Sequence, residues 1–275
     1  MKKAQTFAKT TRHPQKFSFL DEAKVFADGV YQEIGRIPES KAVFVGVLDE
    51  DKGKMVYTQP EQPSPNVRFL QELRERWKTI WLPYDRGTGS ITVFDALAFA
   101  YTAPDRHYHT LHHVADCLAL LDTCRDDAEG PTAIELALWF HDAVYDTHAA
   151  DNEEQSAAWA VREMGGGKRA DAVHHLIFAT KHGTVASAGN DHRLIADIDL
   201  AILGADEAKF WAYEAAIRRE YAWVAEDIYR SKRAEILSRF LLQDRIYQTP
   251  RFHEKYDKAA RVNLRASIDR LLSNQ

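Results

Sequence analysis

The sequence predicts an all-α domain with a small N-terminal α+β appendage, a helix plus a β-hairpin. Three observations predict it. Apolar residues recur at helical spacing through most of the chain after Pro65. Strand-like apolar runs bounded by a polar turn occur only before it, at 42–48 and 55–58. Pro131, glycines 165–167, Gly204 and Thr249-Pro250 then punctuate the later chain into segments of helix length. The expected division is an appendage over 1–65 and a helical domain over 66–275.

Taken in order, residues 1–16 are polar and basic, and 19–34 fits a short helix. The two apolar runs flank Asp49-Glu50-Asp51-Lys52-Gly53, a turn between hairpin strands. The Pro-rich stretch 59–65 reads as a linker, and 70–80 opens the helical domain. Glycines 165–167 break one helix, and Gly204 ends another. Residues 206–229 read as one long amphipathic helix with Phe210, Ile217, Tyr221, Val224 and Ile228 inside. Ser231 is expected to cap the next helix, and Thr249-Pro250 to start the last, as N-cap and first helical residue.

The histidines are clustered. Read as a helix, the segment Tyr108-His109-Thr110-Leu111-His112-His113 places His109, His113 and Asp116 on one face. Leu111, Val114, Leu118 and Leu121 fall on roughly the opposite face, so the leucines can enter a core while two imidazoles face a shared site. His112 is offset to the side. A second cluster closes the run Ile134 to Phe140, which is apolar on nearly every side and opens with Pro131. His141-Asp142 ends it. A buried carboxylate is costly unless paired or metal-bound, so a ligand pair explains this dipeptide better than solvation does. Carboxylates interrupt a third apolar run at Asp197 and Asp199. They point about 200° apart on a helix, so one at most faces a given site. Asp199 is preferred as the ligand and Asp197 as a cap, the reverse assignment staying open.

These motifs resemble the HD superfamily of metal-dependent phosphohydrolases, from about Leu70 to the C-terminus. The resemblance is to a bacterial subgroup described as predicted metal-dependent HD phosphohydrolases. It rests on Arg106-His107-Tyr108-His109, Trp139 to Asp142, Val144-Tyr145-Asp146, Asp151 to Glu154 and Asp199 to Gly204, in that order. Tyr108, His109, His113 and Asp116 also match the first metal-site element of cyclic nucleotide phosphodiesterases, with Thr110 and Val114 departing from it.

The resemblance implies an HD-type helical bundle and a phosphohydrolase of a small phosphorylated molecule such as a nucleotide. It implies His109 as general acid and His113, His141, Asp142 and Asp199 as ligands of one divalent transition metal. Asp142 would serve both catalysis and the metal. Nitrogen and carboxylate donors suit Mn, Fe, Co, Ni or Zn. His182, at the end of a segment that also holds His174 and His175, is the candidate auxiliary ligand of a second metal. Lys181 and Arg106 are candidate phosphate contacts. Glu153 is a candidate site-facing acid, and Asp151 with Glu154 reads as a capping pair. HD nucleotidases that place Glu three residues after His-Asp differ here, where that position is Tyr145. The alternatives are a di-iron HD-type oxygenase and a non-catalytic nucleotide-binding HD protein.

Composition narrows the class. A formal charge of −5 and pI near 6.2 argue against a general nucleic-acid-binding surface. No apolar run spans a membrane. Cys117 and Cys124, seven apart on one expected helix, are about 10 Å apart along its axis and cannot bridge, which points to a reducing cytoplasm.

Overall fold

The computed structural model describes residues 4–7, 15–17, 46–49, 54–57, 65–84, 90–181 and 189–273. The expected helix over 19–34 lies outside them, as does His182. Contacts divide the chain into two units, Met1–Thr102 and Ala103–Gln275.

In the first unit, strands β1 (Ala4–Phe7), β2 (Gln15–Phe17), β3 (Gly46–Asp49) and β4 (Lys54–Tyr57) form an antiparallel sheet in the order β2-β1-β3-β4. β3 and β4, from the stretch read as a hairpin, pair with an irregularity at Val47/Leu48. Helices α1 (Pro65–Trp81) and α2 (Ser90–Ala100) follow. They pack on each other through Trp77, Trp81, Phe94 and Leu97. The Trp77 and Trp81 rings stack at 4.7 Å, and Arg74 donates to Asp95 at 2.6 Å. α1 and α2 both fall within the first of the two units.

Among its described residues the second unit is helical: α3 (Leu111–Thr123), α4 (Pro131–Phe140), α5 (Asn152–Met164), α6 (Lys168–Ala179), α7 (Asn190–Asp199), a 3₁₀ turn over Leu200–Gly204, α8 (Glu207–Glu220), α9 (Glu226–Leu241) and α10 (Pro250–Leu272). α4 is its centre, packed against α3, α5, α6 and α7. Every residue of α4 from Ile134 to Phe140 is buried, as its all-round apolar pattern requires. Glycines 165–167 take positive φ, a conformation that side chains resist, and turn α5 back onto α6. Leu111, Val114, Leu118 and Leu121 of α3 are buried.

Four local expectations need correction. His109 is not helical: Thr110 is the N-cap of α3, so His109 sits in the segment before it. The expected helix over 206–229 is two helices. Arg218 explains the break, because its guanidinium donates to the carbonyls of Tyr221 (2.6 Å) and Val224 (3.1 Å) that a continuing helix would have used. Ile228 is consequently 54% exposed, and Ser231 lies inside α9 instead of capping it. The Asp151–Glu154 cap also does not form. Asp151 makes no side-chain cap bond, while Glu154 accepts from Lys181 at 2.7 Å.

Capping here works across the chain. Buried Asp197 accepts from the backbone N–H of Gln248 (2.8 Å) and Thr249 (2.7 Å), and from the Thr249 hydroxyl, at the start of α10. Asp191 accepts from the N–H of Glu129 and Gly130 ahead of α4 in the same way. Asp197→Ala should therefore destabilise the protein by about 2–3 kcal/mol, leaving buried N–H groups unpaired. Chemical denaturation beside metal analysis checks this; the expected outcome is a lower unfolding midpoint with unchanged metal content.

Candidate metal centre

Three helix ends bring four side chains together. His113 comes from the first turn of α3, His141 and Asp142 from the C-terminal end of α4, and Asp199 from the last residue of α7. One donor atom from each lies within 4.8 Å of all the others. His113 Nε2 is 3.0 Å from His141 Nε2 and 3.1 Å from Asp199 Oδ1. His141 Nε2 is 3.0 Å from Asp142 Oδ2. The two histidines are buried, and the two carboxylates are only 19% and 15% exposed.

The donor set fits a divalent cation. His141 Nδ1 donates to the Leu138 carbonyl at 2.9 Å, which leaves the Nε2 lone pair aimed at the cluster. Two imidazole nitrogens facing each other beside two carboxylates need a positive charge between them. Without a metal that charge must be a proton. Burial lowers the affinity of His141 for it, but the charge of Asp142 and hydrogen bonds to Asp142 and Asp199 raise its pKa well above the usual imidazole value. Asp142 and Asp199 are held well below the usual carboxylate range, against the effect of burial. The cluster stores the demand for a cation that a metal would answer.

The helix ends are built to hold these groups. Arg106 is buried, and its guanidinium donates to the carbonyls of Asp142 (2.6 Å), Ala143 (2.9 Å) and His109 (3.1 Å). It ties off the end of α4 and joins it to the segment that carries His109. Its seen bonds are thus to backbone, where the sequence reading made it a phosphate contact. Behind Asp199, Tyr247 donates to the Leu200 carbonyl, and Asn263 donates to those of Leu203 and Ala205. Gly204 lies so close to α10 that an added Cβ would come within 2.7 Å of Tyr256.

Sequence reasoning missed Glu220, at the end of α8. Its Oε1 accepts from the backbone N–H of His107 (2.8 Å), Tyr108 (2.7 Å) and His109 (3.0 Å). Its Oε2 accepts from His109 Nδ1 (2.8 Å) and the Tyr145 hydroxyl (3.1 Å). The Tyr145 ring lies 4.1 Å from that of His109, so the imidazole is held by a carboxylate and covered by an aromatic face. His109 Nε2 is then the nitrogen that can exchange a proton. Burial lowers the His109 pKa, but the charge of Asp142 and the bond to Glu220 more than reverse this and raise it. The only sequence signal for Glu220 is one acid ending an amphipathic segment, with its nearest partner, Tyr145, 75 residues away.

The other expected site residues fall elsewhere. Asp116, placed with the histidines by spacing, pairs instead with Lys209 at 2.7 Å, each side chain about half exposed. Lys181 lies against Glu154, and at 3.9 Å from Glu153. Asp197 serves α10 as described, so of the acidic pair it is Asp199 that joins the cluster. Comparison with protein-family models, with curated proteins and with solved structures found nothing that matches this chain.

The Glu220 carboxyl is raised by burial but held down to about 2, against an ordinary 4.5, by the His109 bond and charge and by the backbone N–H donors. A depressed carboxylate contributes stability that is present above 4.5 and lost as pH falls toward 2. Glu220→Gln should lower stability at neutral pH and flatten the acid-side loss between those values. Denaturant melts of both proteins from pH 2 to 7 test this; parallel pH curves would refute the buried-carboxylate role.

Proposed function

We propose that the chain is a metal-dependent phosphohydrolase acting on a small phosphorylated molecule. The observation that carries this reading is the convergence of His113, His141, Asp142 and Asp199 on one space, with His109 held beside it. The resemblance of these motifs to HD phosphohydrolases supports the same assignment. On it, His113, His141, Asp142 and Asp199 hold one divalent transition ion, of the class Mn, Fe, Co, Ni or Zn. Such an ion supplies Lewis acidity and lowers the pKa of a bound water.

The chain's own residues do the remainder. His109, its Nδ1 fixed by Glu220, presents Nε2 as the proton donor to a leaving oxygen. Glu220 and Asp142 favour its charged form, the form that can donate a proton. Arg106 sets the distance between His109 and the α4 end by gripping carbonyls of both. Among the described residues no helix is long and apolar enough to cross a membrane, and the proposed substrate is a small molecule.

Elemental analysis of protein purified without added metal is the direct test. About one transition metal per chain is expected in the wild type and loss of most of it in Asp142→Ala and Asp199→Ala. No metal after repletion would overturn the proposal, and two irons with oxygen consumption would replace it by an oxygenase. His109→Asn should keep the metal and lose about 10²- to 10⁴-fold in kcat toward a phosphomonoester, the range of general acid catalysis. A His109→Asn enzyme as fast as wild type would remove His109 from the chemistry.

A further inference from the structure

A cavity of about 310 Å³ opens beside the cluster, and His113 and Asp199 form part of its wall. The remaining wall is mainly apolar and aromatic: Leu120 from α3, Ile198 and Ile202 from the end of α7 and its 3₁₀ turn, Tyr108, and Tyr256 from α10. Lys209 and Asp116 also line it, and they are paired with each other. Small-molecule sites of this kind are largely apolar with a few placed polar groups, and the volume suits one ring system.

The charges limit what can enter. Besides the cluster residues, the lining holds one cation, Lys209, and its charge is already answered by Asp116 at 2.7 Å. A phosphate chain extending into this cavity would find no unanswered lysine or arginine in the lining, since the Lys209 charge is balanced by Asp116. An uncharged, flat organic body would instead cover Leu120, Ile198 and Ile202 and lie against tyrosine rings.

Resting on the phosphohydrolase reading, we propose that this cavity receives the organic body of the substrate and selects phosphomonoesters of an uncharged aryl or nucleoside body over short aliphatic esters and over polyphosphates. The phosphate would sit at the cluster and the organic body in the cavity. Lys209 and Asp116 mark its polar part, where they can bond hydroxyl groups of the body.

The test uses two non-hydrolysable probes, phenylphosphonate and methylphosphonate, titrated calorimetrically into the full-length, metal-loaded protein. Phenylphosphonate should bind at least about tenfold more tightly, the effect of burying a ring in an apolar wall. Ala119→Phe adds a ring to an exposed α3 position on the cavity, and Ile202→Trp enlarges a half-buried one. Each should abolish the phenyl preference while metal content and methylphosphonate affinity stay at wild-type values, which also shows that the variant is folded. Equal affinities in the wild type, binding of neither probe, or a preference that survives both substitutions would overturn the proposal. A wild type that shows the preference yet hydrolyses neither phenyl phosphate nor methyl phosphate would leave the cavity assignment standing and sink the phosphohydrolase reading instead.

Discussion

Two carboxylates and two imidazoles confined within 4.8 Å of one another are the constraint around which the helical unit is arranged. Negative charge at that density in an apolar interior is stable only with a compensating cation. α4 delivers half of the set from a helix buried along its length, while α3 and α7 close on it from neighbouring positions. The apolar packing of these helices and the polar chemistry of their ends are one construction. The leucines of α3 enter the core on one side of the helix and His113 faces the cluster from another.

A second regularity supports the first. Asp191, Asp197 and Glu220 each hold backbone N–H groups of a distant segment, and Asp257 does the same for Ile246. Arg106 and Asn263 do the converse for carbonyls at distant helix ends, and Arg218 does so for carbonyls just after its own helix. Helix ends always leave such groups over, and in this fold the ends are where the site is. Satisfying many of them from elsewhere in the chain ties the helix ends around the site to one another.

That arrangement explains which parts of the molecule were legible in its sequence. The helical domain was readable because apolar periodicity is a local property. His141-Asp142 was readable because charge at the end of a wholly apolar run has few explanations. The choice of Asp199 over Asp197 turned on which carboxylate Thr249 claims, and spacing alone left that open. Glu220 was invisible because its partners at His107, Tyr108 and His109 are 111 to 113 positions away. The i,i+4 spacing of His109 to His113 suggests a helical His109, yet that spacing is the same whether the helix starts before or after it. The break after α8 was hidden for a related reason: Arg218, and no glycine or proline, ends that helix. Long-range partners, more than local propensity, were what the sequence reading lacked.

The reach of Glu220 has a consequence for the order in which the molecule matures. Synthesis through Asp199 completes the four-residue cluster, but the clamp on His109 is made only after the ribosome has added a further 21 residues. Gln248 and Thr249, which engage Asp197, emerge later still. The nascent chain therefore holds the four cluster residues before it holds the carboxylate that orients His109, and before the start of the last helix can dock. Closing such distant loops is slow compared with forming local helices. The His109–Glu220 contact is thus a late product of folding, which cannot form until Glu220 has been made.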